Sequence, residues 1–549
     1  MRGKETMLDI EISLKELIQK GLKELGVEVD LNSIVIERSK DKVHGDYATT
    51  VALQMARNLH KSPRDIANML APLLKADFIS NVEIAGPGFI NFFVKSDSLS
   101  SIIKTIVEQG EHYGESKCDC KDKINVEFVS ANPTGDLHLG HARGAALGDS
   151  ICRMYKKAGY DVTREYYVND AGNQINNLAK SLRVRYHEAL GDNSLEFPED
   201  GYHGDDLVNI AKVMVDEVGD KYLVDSDESY NYFKTRGTEL ELAKLIKDLD
   251  MFRCHFDVFT SELAVRRAGK VEKVLEELKP YIYKDGDAIF LRTTDISDDK
   301  DRVLIKSDGA YTYLLPDIAY HQDKLQRGFT KLVDCLGADH HGYIERMKSS
   351  LVMLGYKADD LDVELIQMVR LFKDGQEYKM SKRTGNAVSM KELCEEVGVD
   401  AVRYFFVSRA STSHLDFDLD LASKMESSNP VFYAQYAHAR LCAVQEKGKG
   451  YKVDYEGKLL NHEKEVSLMK ILVDFPKEVS SAAQQRAPYK MTNYIQKLAT
   501  AIHEFYTECR CIDDSNLDLT ASRLALAEAS RITMKNALEL IGVNAPEKM

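Results

Sequence analysis

The stretch INVEFVSANPTGDLHLGHARGAALGDS, Ile124–Ser150, decides the fold. Ile124, Val126 and Phe128 alternate with other residues, as along a strand. NPTGD, 132–136, then turns the chain. From His138 onward the small residues Gly140, Gly144, Ala145 and Gly148 predict a helix that lies close against a sheet. In such an α/β unit a ligand binds at the carboxyl end of the strand. His138 and His141 would fall on one turn at the helix start. Gly140 leaves the backbone bare, so a planar base or a ribose could come close. Two readings of the histidine pair stand side by side. The imidazoles donate hydrogen bonds to phosphate oxygens, at a helix start that favours anions. Alternatively, they are water-capped residues of a helix start, or a pair of metal ligands.

A second stretch, MVRLFKDGQEYKMSKRTGN at 368–386, bears on that choice. Asp374-Gly375 is a hairpin turn signal. After it Lys379, Lys382 and Arg383 sit on a glycine-bearing stretch. These cations are a solvated face, or a lysine loop that closes on a pyrophosphate leaving group and opens again.

Outward from these two stretches the chain reads as several domains. A length of 549 residues predicts three or four. Residues 1–115 mix helical stretches with short strands. Ser62 and Pro63 are placed as N-cap and first helical residue, and VEIAGPGFINFFV as two strands around a turn. Residues 116–394 alternate strands and helices, which predicts a parallel sheet with crossover helices. Within them, about 190–290 is charged and mostly helical and reads as an insertion. Residues 395–549 are almost all helical. The fold class is thus multidomain α/β: an α+β N-terminal domain, a Rossmann-type parallel sheet, and an all-α C-terminal domain.

Net charge is −15, from 73 basic and 88 acidic residues, which excludes a histone-like basic protein. From Pro430 onward 16 Lys/Arg face 15 Asp/Glu, so the last segment is nearly neutral and is where a polyanion could dock. No window approaches the roughly 20 apolar residues of a membrane span. The N-terminal stretch reads as an amphipathic helix without the apolar run of a signal peptide. The nine cysteines are scattered, and pairs such as Cys118/Cys120 and Cys509/Cys511 are too close in sequence for a zinc site. Zinc is not expected, and reduced thiols fit a cytosol. A cytoplasmic monomer is expected, with no membrane partner.

HLGH and KMSKR, in this order, resemble the two signatures of class I aminoacyl-tRNA synthetases. HGDYATTVALQMARNL, EYYVNDAGNQI, GADHHGYI and DAVRYFFVSR extend the likeness to arginyl-tRNA synthetases over essentially the whole chain. The resemblance implies that arginine is activated with ATP and then joined to the terminal adenosine of tRNA(Arg). It implies Mg²⁺ with the ATP, an anticodon-binding role for the helical domain, and tRNA-elbow contact by the N-terminal domain. It assigns His138 and His141 to the ATP phosphates, Gly140 to the adenine, and Lys379 and Lys382 to charge neutralisation. Gly337 and Asp339 would hold the ribose, and Met368 and Val369 would meet adenine through their backbone. Tyr313 and Asp317 would grip the arginine side chain, with Glu127 on the guanidinium, Asn132 on the α-amino group and Ser130 as a further contact. His341, which stands near a glutamine position of the family, is grouped with these arginine-binding residues.

A guanidinium has five N–H donors and no acceptor, so a pocket for it calls for carboxylates. Tyr313 and Asp317, four apart, share a face if that stretch is helical, and Pro316 suggests a first turn. Other readings are a class I synthetase of different specificity or a non-catalytic RNA-binding relative. A cysteine enzyme would need zinc ligands, and an aliphatic one would not need the acidic residues. A non-catalytic relative need not keep both signatures. Phe432, Tyr433, Tyr436 and Arg440 fall at helical spacing, as stacking groups for splayed anticodon bases or as partly buried core.

Overall fold

The alternation at 124–128 becomes a strand, β1 (Lys123–Glu127), in the computed structural model, which describes residues 10–39, 44–116, 122–378 and 388–549. Ile124 through Glu127 are all buried, as in a strand covered on both faces. Four more strands run parallel to it: β2 (Asp161–Val168), β3 (Val258–Ser261), β4 (Lys331–Gly337) and β5 (Leu361–Ile366). Their order is β5-β4-β1-β2-β3. The chain leaves β1 toward one edge and later crosses to the other, so the order reverses between β1 and β4. In open α/β sheets that switch point makes the ligand crevice.

Helix α1 (Leu139–Lys157) follows β1 and lies close against it. A Cβ on Gly148 would stand 2.3 Å from Phe128 Cγ, so only glycine lets the helix approach β1 this closely. Asp149 on the same helix is buried among arginines: Arg403 lies at 2.5 Å and Arg153 at 2.7 Å. Burial works to raise its pKa, but Arg403, Arg153 and Arg164 hold the carboxyl below its ordinary range. Helix α2 (Leu314–Gln326) precedes β4, with Pro316 in its first turn, where no intrahelical N–H is lost.

The N-terminal part has a four-stranded antiparallel sheet, in the order 36–38, 47–49, 89–94, 79–85. Ser62 Oγ accepts from the Asp65 N–H and caps helix Pro63–Leu70. Helices Asn173–Ala189, Asp205–Val218 and Asp227–Met251 share a core of their own around Leu182, Tyr186, Met214 and Phe233. The stretch read as an insertion is not only a helical appendage. Its VFTS segment returns as edge strand β3, too short to carry an alternation signal, and Ile282–Asp285 with Ala288–Leu291 forms a hairpin.

The C-terminal helices are α3 (Pro430–Lys447), α4 (Glu463–Gln484), α5 (Tyr489–Glu508) and α6 (Leu517–Leu540). They pack as a bundle that also holds helix Ser96–Gln109 against α4 and α6. Tyr113 donates its hydroxyl to Leu472 O at 2.6 Å across this junction. Arg403, fully buried, donates to Ile541 O just beyond α6 and to Phe252 O, while binding Asp149 of α1. One side chain thus joins the helical bundle to the helix behind β1.

Candidate active site

A cleft of about 1220 Å³ opens over the carboxyl ends of β1 and β4. Glu127, Ser130, Asn132, His138, Gly140, His141, Tyr313, Asp317, Gly337, Asp339, Met368 and Val369 all line it. His341 does not, although its neighbour His340 does. Lys379 and Lys382 lie outside the described residues; Tyr378 and Val388, on either side of them, line the cleft.

The two histidines cap α1 for each other. His138 Nδ1 accepts from the N–H groups of Gly140 (3.0 Å) and His141 (3.3 Å), and His141 Nδ1 accepts from the His138 N–H (3.4 Å). The rings stack with centroids 3.6 Å apart. An Nδ1 that accepts from the backbone carries no proton, so each neutral ring holds its proton on Nε2 and can donate it. Burial lowers both pKa values, and His141 is pushed down to about 3 with His138 adding to the effect. Gly140 has a second use: a Cβ there would meet His138 Cε1 at 2.9 Å.

Between β1 and α1 the backbone is strained. Val129 (φ 67°) and Ser130 (φ 39°) both take the left-handed region, a conformation that clusters at functional sites. The kink turns Ser130 back on the strand. Its hydroxyl donates to Glu127 Oε1 (3.0 Å) and accepts from the Tyr167 N–H (3.1 Å). Tyr166 fixes the next residue by donating to Ala131 O at 2.7 Å, and Asn132 Nδ2 donates to Gln174 Oε1 at 2.6 Å.

The opposite wall is α2. Tyr313 is its N-cap residue, 82% exposed and lining the cleft, and Asp317 lies in the first turn. Below them four charged groups are buried together. Lys324 Nζ lies 2.5 Å from Glu127 Oε2 and 3.3 Å from Asp334 Oδ1. His321 Nε2 lies 2.7 Å from Asp334 Oδ2, and its Nδ1 lies 2.8 Å from Asp317 O and 3.2 Å from Asp317 Oδ1. Burial opposes each charge, but Asp334 pushes the His321 imidazole up to about 10, and Lys324 and His321 hold Asp334 well below the carboxylate range. Burial, with Asp334 adding to it, raises the Glu127 pKa against the pull of Lys324 and His321, while Lys324 and Ser130 both donate to its carboxyl as to a carboxylate. Sequence reading missed His321, Lys324 and Asp334. Helical spacing held a signal, since His321 and Lys324 follow Asp317 by four and seven residues on one face of α2.

On the other side of the cleft Gly337 ends β4, where a Cβ would stand 2.5 Å from Asp339 Oδ1. Met368 and Val369 follow Gln367, whose carbonyl accepts from Arg143 Nη1 at 2.7 Å. Arg143 is fully buried on α1 and also donates to Ala410 O at 3.1 Å, so the histidine helix fixes the backbone before Met368. Among the described residues no three His, Cys, Asp or Glu side chains converge to hold a metal.

Outside the cleft lining, α3 and α5 present a ladder of rings. Phe432 stacks on Tyr436 at 5.9 Å, and Arg440 lies over Tyr436 (4.6 Å) and Tyr506 (4.4 Å). Tyr433 turns inward against His503 instead.

Three family models match the chain: "Arginyl tRNA synthetase N terminal domain" over residues 13–94, "tRNA synthetases class I (R), catalytic domain" over 102–410, and "DALR anticodon binding domain" over 434–549. The chain is 51% identical to the arginine–tRNA ligase of Bacillus subtilis, with 99% of each chain covered. It is 51% identical to that of Anoxybacillus flavithermus, with 98% of each covered. The solved structure of Thermus thermophilus arginyl-tRNA synthetase superposes with a TM-score of 0.74 at 21% identity, covering 98% of this chain and 100% of that one, a likeness of fold.

The histidine caps make stability depend on pH. Both folded pKa values are depressed, so the neutral rings contribute stability above the unfolded value of about 6.5. As pH falls below that value the unfolded chain takes up protons that the folded chain refuses, and stability drops. Between pH 7 and 5 the melting temperature should fall less in His141→Asn than in the wild type. Equal slopes would show that the pair does not cap α1 as neutral rings.

Proposed function

The chain belongs to the arginyl-tRNA synthetase family, and from that premise we propose how its cleft and its helical bundle divide the substrates. The enzyme is an arginine–tRNA ligase. An arginine carboxylate oxygen attacks the α-phosphorus of ATP, the bond to the β-phosphate breaks, and pyrophosphate leaves. A ribose hydroxyl of the terminal tRNA adenosine then attacks the arginyl carbonyl, and AMP leaves.

The observation that carries the site reading is one cleft with two unlike walls. Neutral imidazoles cap a helix start on one side, and an acidic wall faces them on the other. His138 and His141 donate Nε2–H to the α-phosphate oxygens as charge builds there. Gly140 lies under the adenine, with Met368 and Val369 meeting it through their backbone, and Gly337 and Asp339 hold the ribose. Asn132 takes the α-amino group and Ser130 supports it. Tyr313 and Asp317 take the guanidinium, with Glu127 contributing charge. His341 has no role in this reading. Mg²⁺ would accompany the ATP, held mainly by its phosphates, and would neutralise part of their charge. The domains run 1–115, 116–394 and 395–549. The chain works as a monomer in the cytosol.

Substrate choice tests this reading. Citrulline keeps the shape of arginine but replaces one terminal nitrogen by oxygen and loses the charge, setting acceptor against acceptor at Asp317. Sites built on such hydrogen bonds reject analogues by roughly 10⁴–10⁵. In ATP–pyrophosphate exchange with tRNA present, Asp317→Asn should cut kcat/KM for arginine severely and narrow its lead over citrulline. Unchanged discrimination would reduce Asp317 to a helix-start residue.

Lys379 and Lys382 neutralise the departing pyrophosphate. Lys382→Ala should lower kcat for activation by a factor matching about 2.7–4 kcal/mol, as for a lost oxyanion donor, with little change in arginine binding. Wild-type turnover in the variant would remove the lysine from the mechanism.

The ring ladder of Phe432, Tyr436, Arg440 and Tyr506 stacks anticodon bases, and the N-terminal domain touches the tRNA elbow. Hydroxyl-radical footprints of bound tRNA should be protected at both places, and Tyr436→Ala should lose only the anticodon protection. An unchanged footprint in that variant refutes the ladder's role.

A further inference from the structure

We propose that His321 is a positioning residue for substrate choice: anchored in the core by Asp334, it holds Asp317 in the place where the guanidinium is read. The inference rests on the reading of Asp317 as the arginine-binding carboxylate. Its basis is hydrogen-bond geometry. Both ring nitrogens of His321 face acceptors, Nε2 the Asp334 carboxylate at 2.7 Å and Nδ1 the Asp317 carbonyl and carboxylate at 2.8 and 3.2 Å. A neutral imidazole has one N–H and would leave one of these contacts as two acceptors facing each other. The ring is therefore an imidazolium, and it is fully buried.

Such a cation beside the carboxylate that must bind a guanidinium would by itself weaken that binding. Asp334 removes the conflict by pairing with the ring through its other nitrogen, Nε2. The groups facing His321 are Asp317, Tyr320 and Lys324 from α2, Asp334 from β4, Glu127 from β1, and Tyr343 from helix Tyr343–Met353. The ring steers Asp317 Oδ1, and the Tyr343 hydroxyl hydrogen-bonds the same carboxylate from the next helix. A fork of two guanidinium N–H groups needs such a fixed carboxylate, and a misplacement of about 1 Å can cost roughly a hundredfold in rate.

Three measurements on the full-length enzyme test the proposal. Nitrogen NMR of histidine-labelled wild type should find one of the fifteen histidine rings doubly protonated at pH 9; a sample with none overturns it. His321→Gln should raise KM for arginine roughly ten- to a hundredfold and lower the preference over citrulline, while KM for ATP stays put. Equal shifts in both KM values, or none, overturn it. Asp334→Asn removes the anchor, so the ring should lose its proton nearer its ordinary pKa of about 6.5. The variant's kcat/KM for arginine should then hold at low pH and fall through neutrality, a limb the wild type lacks; a flat profile overturns the proposal. If Asp317→Asn leaves discrimination intact, the reading beneath fails. If Asp317→Asn changes it and His321→Gln does not, this inference alone fails.

Discussion

Two carboxylates end up buried side by side on neighbouring strands, Glu127 at the end of β1 and Asp334 in register with it midway along β4, and neither can stay charged there without a cation. Helix α2 supplies both cations, Lys324 and His321. A buried ion pair of this kind adds little net stability, because desolvation offsets the attraction, but losing one partner is costly. Its effect is to fix geometry. Lys324 can reach Glu127 and Asp334 together only if α2 lies across both strands in one register. That register puts the first turn of α2, with Tyr313 and Asp317, at the rim of the cleft.

On the proposed reading of Asp317, the same cluster sets what the cleft accepts. Glu127, Asp334 and Asp317 are three carboxylates, and Lys324 and His321 are two cations. The group is one positive charge short, and Asp317 at the rim carries the deficit. A ligand with a compact positive charge and planar N–H donors completes it, whereas a neutral side chain leaves a half-buried carboxylate without a partner. Selectivity for a charged, forked group is thus built below the pocket as much as in it. This is consistent with a family that joins arginine to tRNA.

Much of this was legible in the sequence where the signal is local. The alternation at 124–128, the small residues after His138, the Ser62–Pro63 cap and the hairpin around Gly86–Gly88 each express a rule that acts within a few residues. The shared turns of the histidine pair and of Tyr313 with Asp317 follow from spacing in the same way, while the roles given to them rest on the family resemblance. Long-range terms were not legible. Lys324 and Glu127 are 197 residues apart, and nothing near either one names the other. Strand β3 has four residues and gains its identity only by pairing with β2. The positive φ at Val129 and Ser130 falls on residue types that ordinarily avoid it, so local preference points away from the observed backbone. Strain of that sort is held in place by Tyr166 and Tyr167, which come from the next strand.

The two walls of the cleft handle charge differently, and the reaction explains why. The amino acid brings a permanent cation, so a permanent carboxylate can hold it through both steps. The nucleotide brings negative charge that must first be stabilised and then leave as pyrophosphate. A fixed cation at the start of α1 would bind that product strongly, since charge-assisted bonds are about twice as strong as neutral ones. On the proposed reading of His138 and His141 as phosphate-binding residues, the histidine caps avoid this. With Nδ1 tied to the backbone and the pKa depressed, each ring offers a neutral N–H donor that strengthens as phosphate charge builds and weakens once it departs. Stacking the rings 3.6 Å apart serves the same end, because two adjacent imidazoliums would repel. The helix start therefore offers oriented, uncharged donors to whatever anion the cleft holds.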